Sequence, residues 1–434
     1  MLSRVQTPFL QGLFLFLLLS ILSGCSSEQP RFVCGDAIGC VEIGADEPIR
    51  IGVIQALSGK VAALGKEQIY GLELALDKRQ RKIAGHAVLL QTEDTGCTAE
   101  GGANAALKVV ADPKTVAIFG TTCSGAAATA AKVMSDAGLT MISGNNSAPF
   151  LTAFGGQRAP DWQPGYFRTA ANEENSGKAA ATYAYTVLGV RKAAAINDGD
   201  IYTRGLTDGF KKAFVELGGS IVLDSSVNKG DTEMVPVLTA VANAGAELIF
   251  FPLFQPEGNH LLRTAKKIEA LGTTILMSDG ALIENTFIAE MGELARGMYF
   301  VGPSAVESEA GRQLAELYRE KFKTDPSTSY YQSAYDAAEL LFQAIEKVAE
   351  KVADKVVVKG EGGRLYIGRQ ALRDELYGTV AFAGVTGSLT CDQFGDCAFP
   401  VFDVLRLDEP GKGVAALLKN VQFTYSPAHS TGRL

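Results

Sequence analysis

From residue 49 onward, short apolar runs alternate with longer amphipathic stretches. Ile49–Gln55 reads as a strand, and 64–82 as a helix with Ile69, Leu72 and Leu76 on one face. The same rhythm predicts strands at 87–91, 116–119 and 139–143. Ala103, Leu107 and Val110 share one helical face between the first two of these, and a small-residue helix spans 124–137. The polar stretch 155–165, which holds Gly and Pro, interrupts the series. Beyond it, strands are expected at 193–197, 221–227, 248–254, 275–278 and 298–301, with helices between them at about 203–217, 232–244, 256–271 and 284–291. Two helices, about 307–323 and 330–352, then follow with no strand between them, and turn and strand signals return over 384–407. Residues 26–47 hold no long periodic segment and read as a tether with one local loop.

Repeated strand–helix units predict an α/β fold of parallel sheets with helices on both faces and right-handed crossovers. Two such series predict two Rossmann-like lobes. Sheets of this kind bind ligands beyond the carboxyl ends of their strands, where the strand order reverses. The loops to inspect are therefore 57–63, 94–99, 120–126, 143–148, 198–202, 254–258 and 279–282.

The amino terminus has a different character. Arg4 precedes an apolar run through Leu19, followed by Leu22-Ser23-Gly24-Cys25. A charged start, a short apolar core and small residues before a cysteine form a secretory signal, and the last four positions resemble a bacterial lipobox. Residues 1–24 are then a signal peptide, Cys25 carries the lipid, and 25–47 tether the body to a membrane. Several acyl chains on one terminus hold a protein firmly, whereas one chain binds marginally. Setting Cys25 aside, six cysteines remain, an even number that favours disulfides in an exported chain. Cys34 and Cys40, and likewise Cys391 and Cys397, are separated by five residues that include Gly and Asp, so each pair can close a turn. That leaves Cys97 and Cys123 for each other, although six cysteines allow fifteen connectivities. A zinc site is the rival reading, disfavoured because no C-x2-C spacing occurs and the chain has only 3 His.

The 434 residues carry a formal charge of −8, which argues against a nucleic-acid partner. Enzyme readings fare poorly. His86, His260 and His429 lie in unrelated segments, and no G-x-S-x-G elbow occurs. Nor is there a G-x4-G-K-[ST] loop, so any ATPase is a separate subunit. The charged stretch 339–355 reads as a solvated helix face. Neither a cofactor nor a metal is expected.

Gly52-Val53-Ile54-Gln55-Ala56-Leu57-Ser58-Gly59, followed by Gly65 and Gly71-Leu72-Glu73-Leu74-Ala75, resembles the opening of type I periplasmic binding proteins, and in particular the leucine/isoleucine/valine-binding receptors of ABC transporters. Asp94-Thr95-Gly96-Cys97, the stretch from Ile118 to Ser124, Ser147-Ala148-Pro149, Phe167-Arg168-Thr169, the stretch from Asp198 to Tyr202, Ser278-Asp279-Gly280 and Tyr335-Asp336-Ala337 extend the similarity from about Ile49 to Leu407. The resemblance implies a disulfide between Cys97 and Cys123. It also implies three crossings between lobes: 49–168 with 303–380 in lobe one, and 169–302 with 381–425 in lobe two. Such a hinge closes about a ligand.

The site residues follow from the same comparison. Ser124 stands where a strand passes into a helix N-terminus, which favours a carboxylate; the resemblance implies that it holds the ligand's α-carboxylate, while a plain helix cap is the alternative. Asn145 and Ser147 match ligand-contacting positions of the next loop, and Asn145 is more polar than the small residue usual there. Tyr202 and Asp279 come from lobe two. The tyrosine ring covers the ligand, and the carboxylate pairs with an α-ammonium. Phe254 falls near a family aromatic that faces the ligand, and Leu64 replaces a tyrosine found in some members.

The resemblance implies a lipid-anchored receptor on the extracytoplasmic face of a membrane. It would be monomeric and would deliver a small amino acid or related carboxylate to an ABC permease driven by a separate ATPase. The alternatives are a ligand sensor for a signalling partner, an amide- or urea-binding protein, and an extracytoplasmic enzyme on the same scaffold.

Overall fold

Ile49–Gln55 (β1) has an almost wholly buried backbone run, as a strand covered on both faces by helices requires. Around it stand Lys82–Ile83 (β2), His86–Asp94 (β3), Thr115–Gly120 (β4), Met141–Ser143 (β5) and Tyr166–Arg168 (β6), in the order β2-β3-β1-β4-β5-β6. All neighbours are parallel except β2 and β3. The strand order reverses at β1. Ala62–Lys78 (α1), Ala99–Val110 (α2) and Ser124–Asp136 (α3) make the crossovers. The computed structural model describes residues 1, 33–304, 308–326, 328, 330–355 and 364–427. The expected signal peptide apart from Met1, Cys25 with its expected lipid, and His429 lie outside them.

After Glu174–Thr186 (α4), a second sheet is built from Lys192–Asn197 (β7), Ser220–Ser226 (β8), Leu248–Phe250 (β9), Ile275–Asp279 (β10), Tyr299–Pro303 (β11), Phe402–Arg406 (β12) and Val421–Tyr425 (β13). Its order is β8-β7-β9-β10-β11-β12-β13, parallel through β11 and antiparallel beyond it. Here the order reverses at β7. Ile201–Glu216 (α5), Val235–Ala244 (α6), Glu257–Ala265 (α7) and Asn285–Met291 (α8) connect the strands. Glu309–Phe322 (α9) and Tyr330–Lys355 (α10) return to the first sheet. There Leu314, Tyr318, Leu341 and Ile345 share a core with Ile51, Val53 and Phe119. α1 and α10 touch at backbone distance because position 71 is glycine: a Cβ there would lie 2.4 Å from Tyr331 O and 2.7 Å from Ala334 Cβ.

Three expectations need correction. The stretch 25–47 is not a tether throughout, because Cys40–Ile43 pairs antiparallel with Leu365–Gly368. Val41 and Ile43 enter the first core while Glu42 faces solvent, a period-2 pattern only four residues long. The segment 381–397, expected with lobe two, contributes Val385, Leu389, Cys391 and Cys397 to the first core. The strand expected over 248–254 ends at Phe250, since Pro252 cannot donate to a ladder.

Cys97–Cys123 and Cys391–Cys397 are disulfides, and Cys34 and Cys40 are also disulfide-bonded. The chain divides into Met1–Gly35 and Asp36–Leu434. Of the first part only Met1 and residues 33–35 are described, and Val33 is exposed. All that follows concerns the second. No helix among the described residues is long and apolar enough to cross a membrane.

Candidate functional site

The carboxyl ends of β1, β4 and β5 face those of β7, β9 and β10 across a small enclosed pocket. Leu64, Thr122, Ser124, Asn145 and Ser147 line it from the first sheet's loops, Tyr202, Phe254 and Ala281 from the second's, and Tyr330 from the start of α10. Its cavity volume is only about 10 Å³, room for about one water and far below the range of about 300–1,000 Å³ for small-molecule sites, so the two walls stand nearly in contact. Ser124, Asn145, Ser147, Tyr202 and Phe254, expected at the site from sequence, are thus brought together, and Asp279 joins them through the Tyr202 hydroxyl.

Ser124 opens α3 but does not cap it. Cys123 holds the N-cap position without a side-chain bond, and Ser124 Oγ accepts the Ala148 N–H at 3.2 Å. Its hydroxyl proton is left to donate elsewhere, beside the first turn of a 13-residue helix whose leading N–H groups lack intrahelical acceptors. Thr122 is spent differently: its hydroxyl donates to Gln55 Oε1 at 2.7 Å and accepts the Ala56 N–H at 2.9 Å. Asn145 Nδ2 donates to Thr122 O at 2.7 Å, while its Oδ1 is buried without a partner.

Behind the opposite wall lie two acids that do not line the pocket themselves. Asp279, at the end of β10, is fully buried and accepts a short hydrogen bond from the Tyr202 hydroxyl. Glu173, just before α4, is also fully buried and accepts from Ser147 Oγ at 2.6 Å. The Tyr202 hydroxyl interacts with Glu173 as well, so one phenol lies between the two acids. Glu173 Oε1 and Asp279 Oδ1 are buried and have no hydrogen-bond partner. Burial, and after it the nearby Asp279 charge, pushes the Glu173 carboxyl up to about 8. Burial pushes Asp279 up to about 7 against the pull of the Tyr202 hydrogen bond. Tyr202 and Tyr330 are held well above the ordinary phenol range by burial and by the two acids.

Phe254 packs on Tyr202 with ring centroids 5.0 Å apart, so the apolar wall adjoins the phenol that fronts the two acids. Asp200 caps α5 by accepting the Tyr202 N–H at 2.9 Å, which fixes where the tyrosine enters the pocket. Glu173 and Tyr330 escaped the sequence reading. Glu173 stands in the run Asn172-Glu173-Glu174, which looks like an ordinary charged helix start. Two other motifs serve architecture. The guanidinium of Arg168, fully buried, pairs with Asp396 and donates to Ala148 O at 2.7 Å and to Thr152 Oγ1. Asp336 accepts the backbone N–H groups of Val385 and Thr386 at 2.8 and 2.9 Å, fixing the hairpin Phe382–Leu389.

Two sheets facing one pocket through their switch-point loops narrow the choice of family, and comparison with known proteins decides it. The family model described as periplasmic binding protein matches residues 48–394. The chain belongs to that family. This binding protein is 28% identical over 365 residues to Leu/Ile/Val-binding protein homolog 3 of Brucella melitensis, covering 83% of its own length and 92% of the relative's. Its fold matches a leucine binding protein of Thermotoga maritima with a TM-score of 0.73 at 23% identity, over 88% of this chain and 99% of the other. A solute binding protein of Rhodopseudomonas palustris HaA2, solved with p-hydroxybenzoic acid, also superposes at 0.73, with 19% identity and coverage of 89% and 100%. These relatives are named for binding rather than for catalysis.

Proposed function

We propose that this periplasmic binding protein captures a small α-amino acid with an apolar side chain and passes it unchanged to an ABC permease served by a separate ATPase. One observation carries the reading: two buried carboxylates, each with an unpaired oxygen, lie directly behind Ser147 and Tyr202 of a pocket whose other wall is a helix N-terminus bearing a serine hydroxyl. Glu173 Oε1 and Asp279 Oδ1 accept from the ammonium, and the unpaired Asn145 Oδ1 adds a third acceptor. Ser124 Oγ and the first N–H groups of α3 receive the carboxylate. Leu64, Phe254, Ala281 and the Tyr330 ring surround the side chain. The names of relatives that bind leucine, isoleucine and valine support this choice.

In this reading 49–168, with α9, α10 and the chain to 397, forms one lobe, and 169–302 with 398–425 forms the other. The two pivot about the three crossovers, and a lipid on Cys25 keeps the receptor at the membrane. Calorimetry with the twenty amino acids tests the site. A charge-assisted hydrogen bond is worth about 1.5–3 kcal/mol, so Ser124→Ala weakens the best ligand by about 10- to 150-fold. Unchanged affinity removes Ser124 from the site.

A further inference from the structure

The Glu173–Asp279 pair does more than present acceptors. Both side chains are fully buried, one phenol hydroxyl lies between them, and each keeps an unpaired oxygen. The groups that face them can be named from every side. Ser147 and Tyr202 donate to them, the Tyr330 phenol stands opposite both, and Ser278 and the Ala281 N–H lie beside Asp279. Arg168 is the cation whose field reaches Glu173, and its donors are committed to Asp396, Ala148 O and Thr152. Two adjacent carboxylates in such surroundings cannot both stay ionised, because among the described residues the one cation that reaches them, Arg168, is already paired with Asp396.

We propose that the ligand-free site holds one proton shared between Glu173 and Asp279, and that the ammonium of an incoming amino acid displaces it to solvent. The inference rests on the amino-acid reading above and adds its regulation by pH. The balance is simple. One O–H bond at the pair is broken, the proton leaves to water or buffer, and the ligand's N–H groups take its place while the pair becomes a dianion beside a cation. The raised ionisation of both acids agrees with this and sets the window: the empty pair keeps a proton up to pH 7 to 8. Below that window each lower pH unit gives the proton a tenfold advantage over the ammonium. Above it, affinity levels off until the ligand's own ammonium titrates.

The test is calorimetry of the full-length receptor with L-leucine, L-isoleucine, L-valine and L-alanine between pH 5.5 and 8.5. Each pH is run in two buffers of different ionisation heat. The expected result is close to one proton released per ligand at pH 6, an affinity rising about tenfold per unit up to pH 7, and a plateau near pH 8. Glu173→Gln binds more weakly and releases only the proton that burial keeps on Asp279, whereas the double variant Glu173→Gln/Asp279→Asn releases none and loses the pH slope. 4-Methylpentanoate, which is leucine without its ammonium, releases no proton. A pH-independent affinity with buffer-independent heat overturns the shared proton and leaves amino-acid capture standing. Proton release that persists in the double variant Glu173→Gln/Asp279→Asn also overturns it. Absence of binding heat for all four amino acids at every pH removes the reading beneath it, and the proposal with it. The wild-type buffer series decides the matter even where a variant fails to fold.

Discussion

Replacing Gly125 by alanine separates closure of the site from stability of the fold. Gly125 is the second residue of α3, and a Cβ built on it lies 2.5 Å from Asp200 Oδ2 and 3.2 Å from its Cγ. The added methyl must therefore push the carboxylate back by roughly 1 Å to reach ordinary contact. Asp200 is not at liberty to yield: its Oδ1 caps Tyr202 at 2.9 Å and its Oδ2 pairs with Lys229 at 2.7 Å. Overpacking of this kind costs about 1–3 kcal/mol, and a loosened cap accounts for about 1 kcal/mol of that. The strain exists only where the loop after β7 lies against α3, so on the pivoting proposed above it falls on the closed form that holds the ligand. Within the helix itself, alanine is better than glycine by about 0.5–1 kcal/mol. The expected outcome is opposite movement: affinity for the best amino acid drops about 5- to 160-fold, while the ligand-free melting temperature holds or rises. Calorimetry and thermal unfolding on one preparation read both. Affinity within twofold of wild type, or affinity and stability falling together, refutes the reasoning.

Two further outcomes follow from buried charge. Asp396→Ala leaves the fully buried Arg168 without its carboxylate partner and takes from Asn172 an acceptor at 2.9 Å. The expected loss is about 3–5 kcal/mol in urea unfolding at unchanged m-value, and a loss below about 1 kcal/mol contradicts the pairing. The second concerns pH and the empty receptor. Glu173 and Asp279 titrate higher in the fold than in the unfolded chain, so the folded state holds more protons between about pH 4 and 8. Stability must therefore fall as pH rises through that range, by about 1.4 kcal/mol per unit for each proton held. Melting curves from pH 5 to 8 should descend for wild type, descend less steeply for Glu173→Gln, and flatten only when Asp279→Asn is added.

Much of the architecture is legible in the chain because buried parallel strands announce themselves. Ile49–Gln55 and Thr115–Gly120 are near-continuous apolar runs bounded by turns, and helices of clear periodicity stand between their neighbours. α4 escaped for a stated reason: its residues Glu174–Thr186 are rich in Ala, Ser, Gly and Thr, which give little contrast between faces. It buries that small-residue face closely against α5, with Gly177 beside Leu206 and Phe210. The pocket was legible wherever a residue sits at a strand end, as Ser124, Tyr202 and Asp279 do. Glu173 was not, because nothing local distinguishes a buried acid from a solvated one. Its burial arises only when the loops after β5 and β10 come to lie against it. Phe254, expected near a family aromatic from the resemblance, lines the pocket, and the Tyr330 ring enters it from an element far away in sequence.

The knot at Arg168 sets how any swing of the two halves is geared. Besides its ion pair, Arg168 donates its backbone N–H to Gly395 O at 2.9 Å and accepts from Cys397 N at 3.0 Å, while Asn172 reaches the same Asp396. The chain leaving the first sheet and the chain entering the second are thus stapled side by side within a few residues of their departure, and Cys391–Cys397 stiffens one of them. Two ropes lashed together resist sliding past one another but still twist. If the two halves pivot as proposed, motion there would be channelled into torsion of the stretches just beyond the lashing, and a small turn near residue 170 would become a wide sweep at the distant rims.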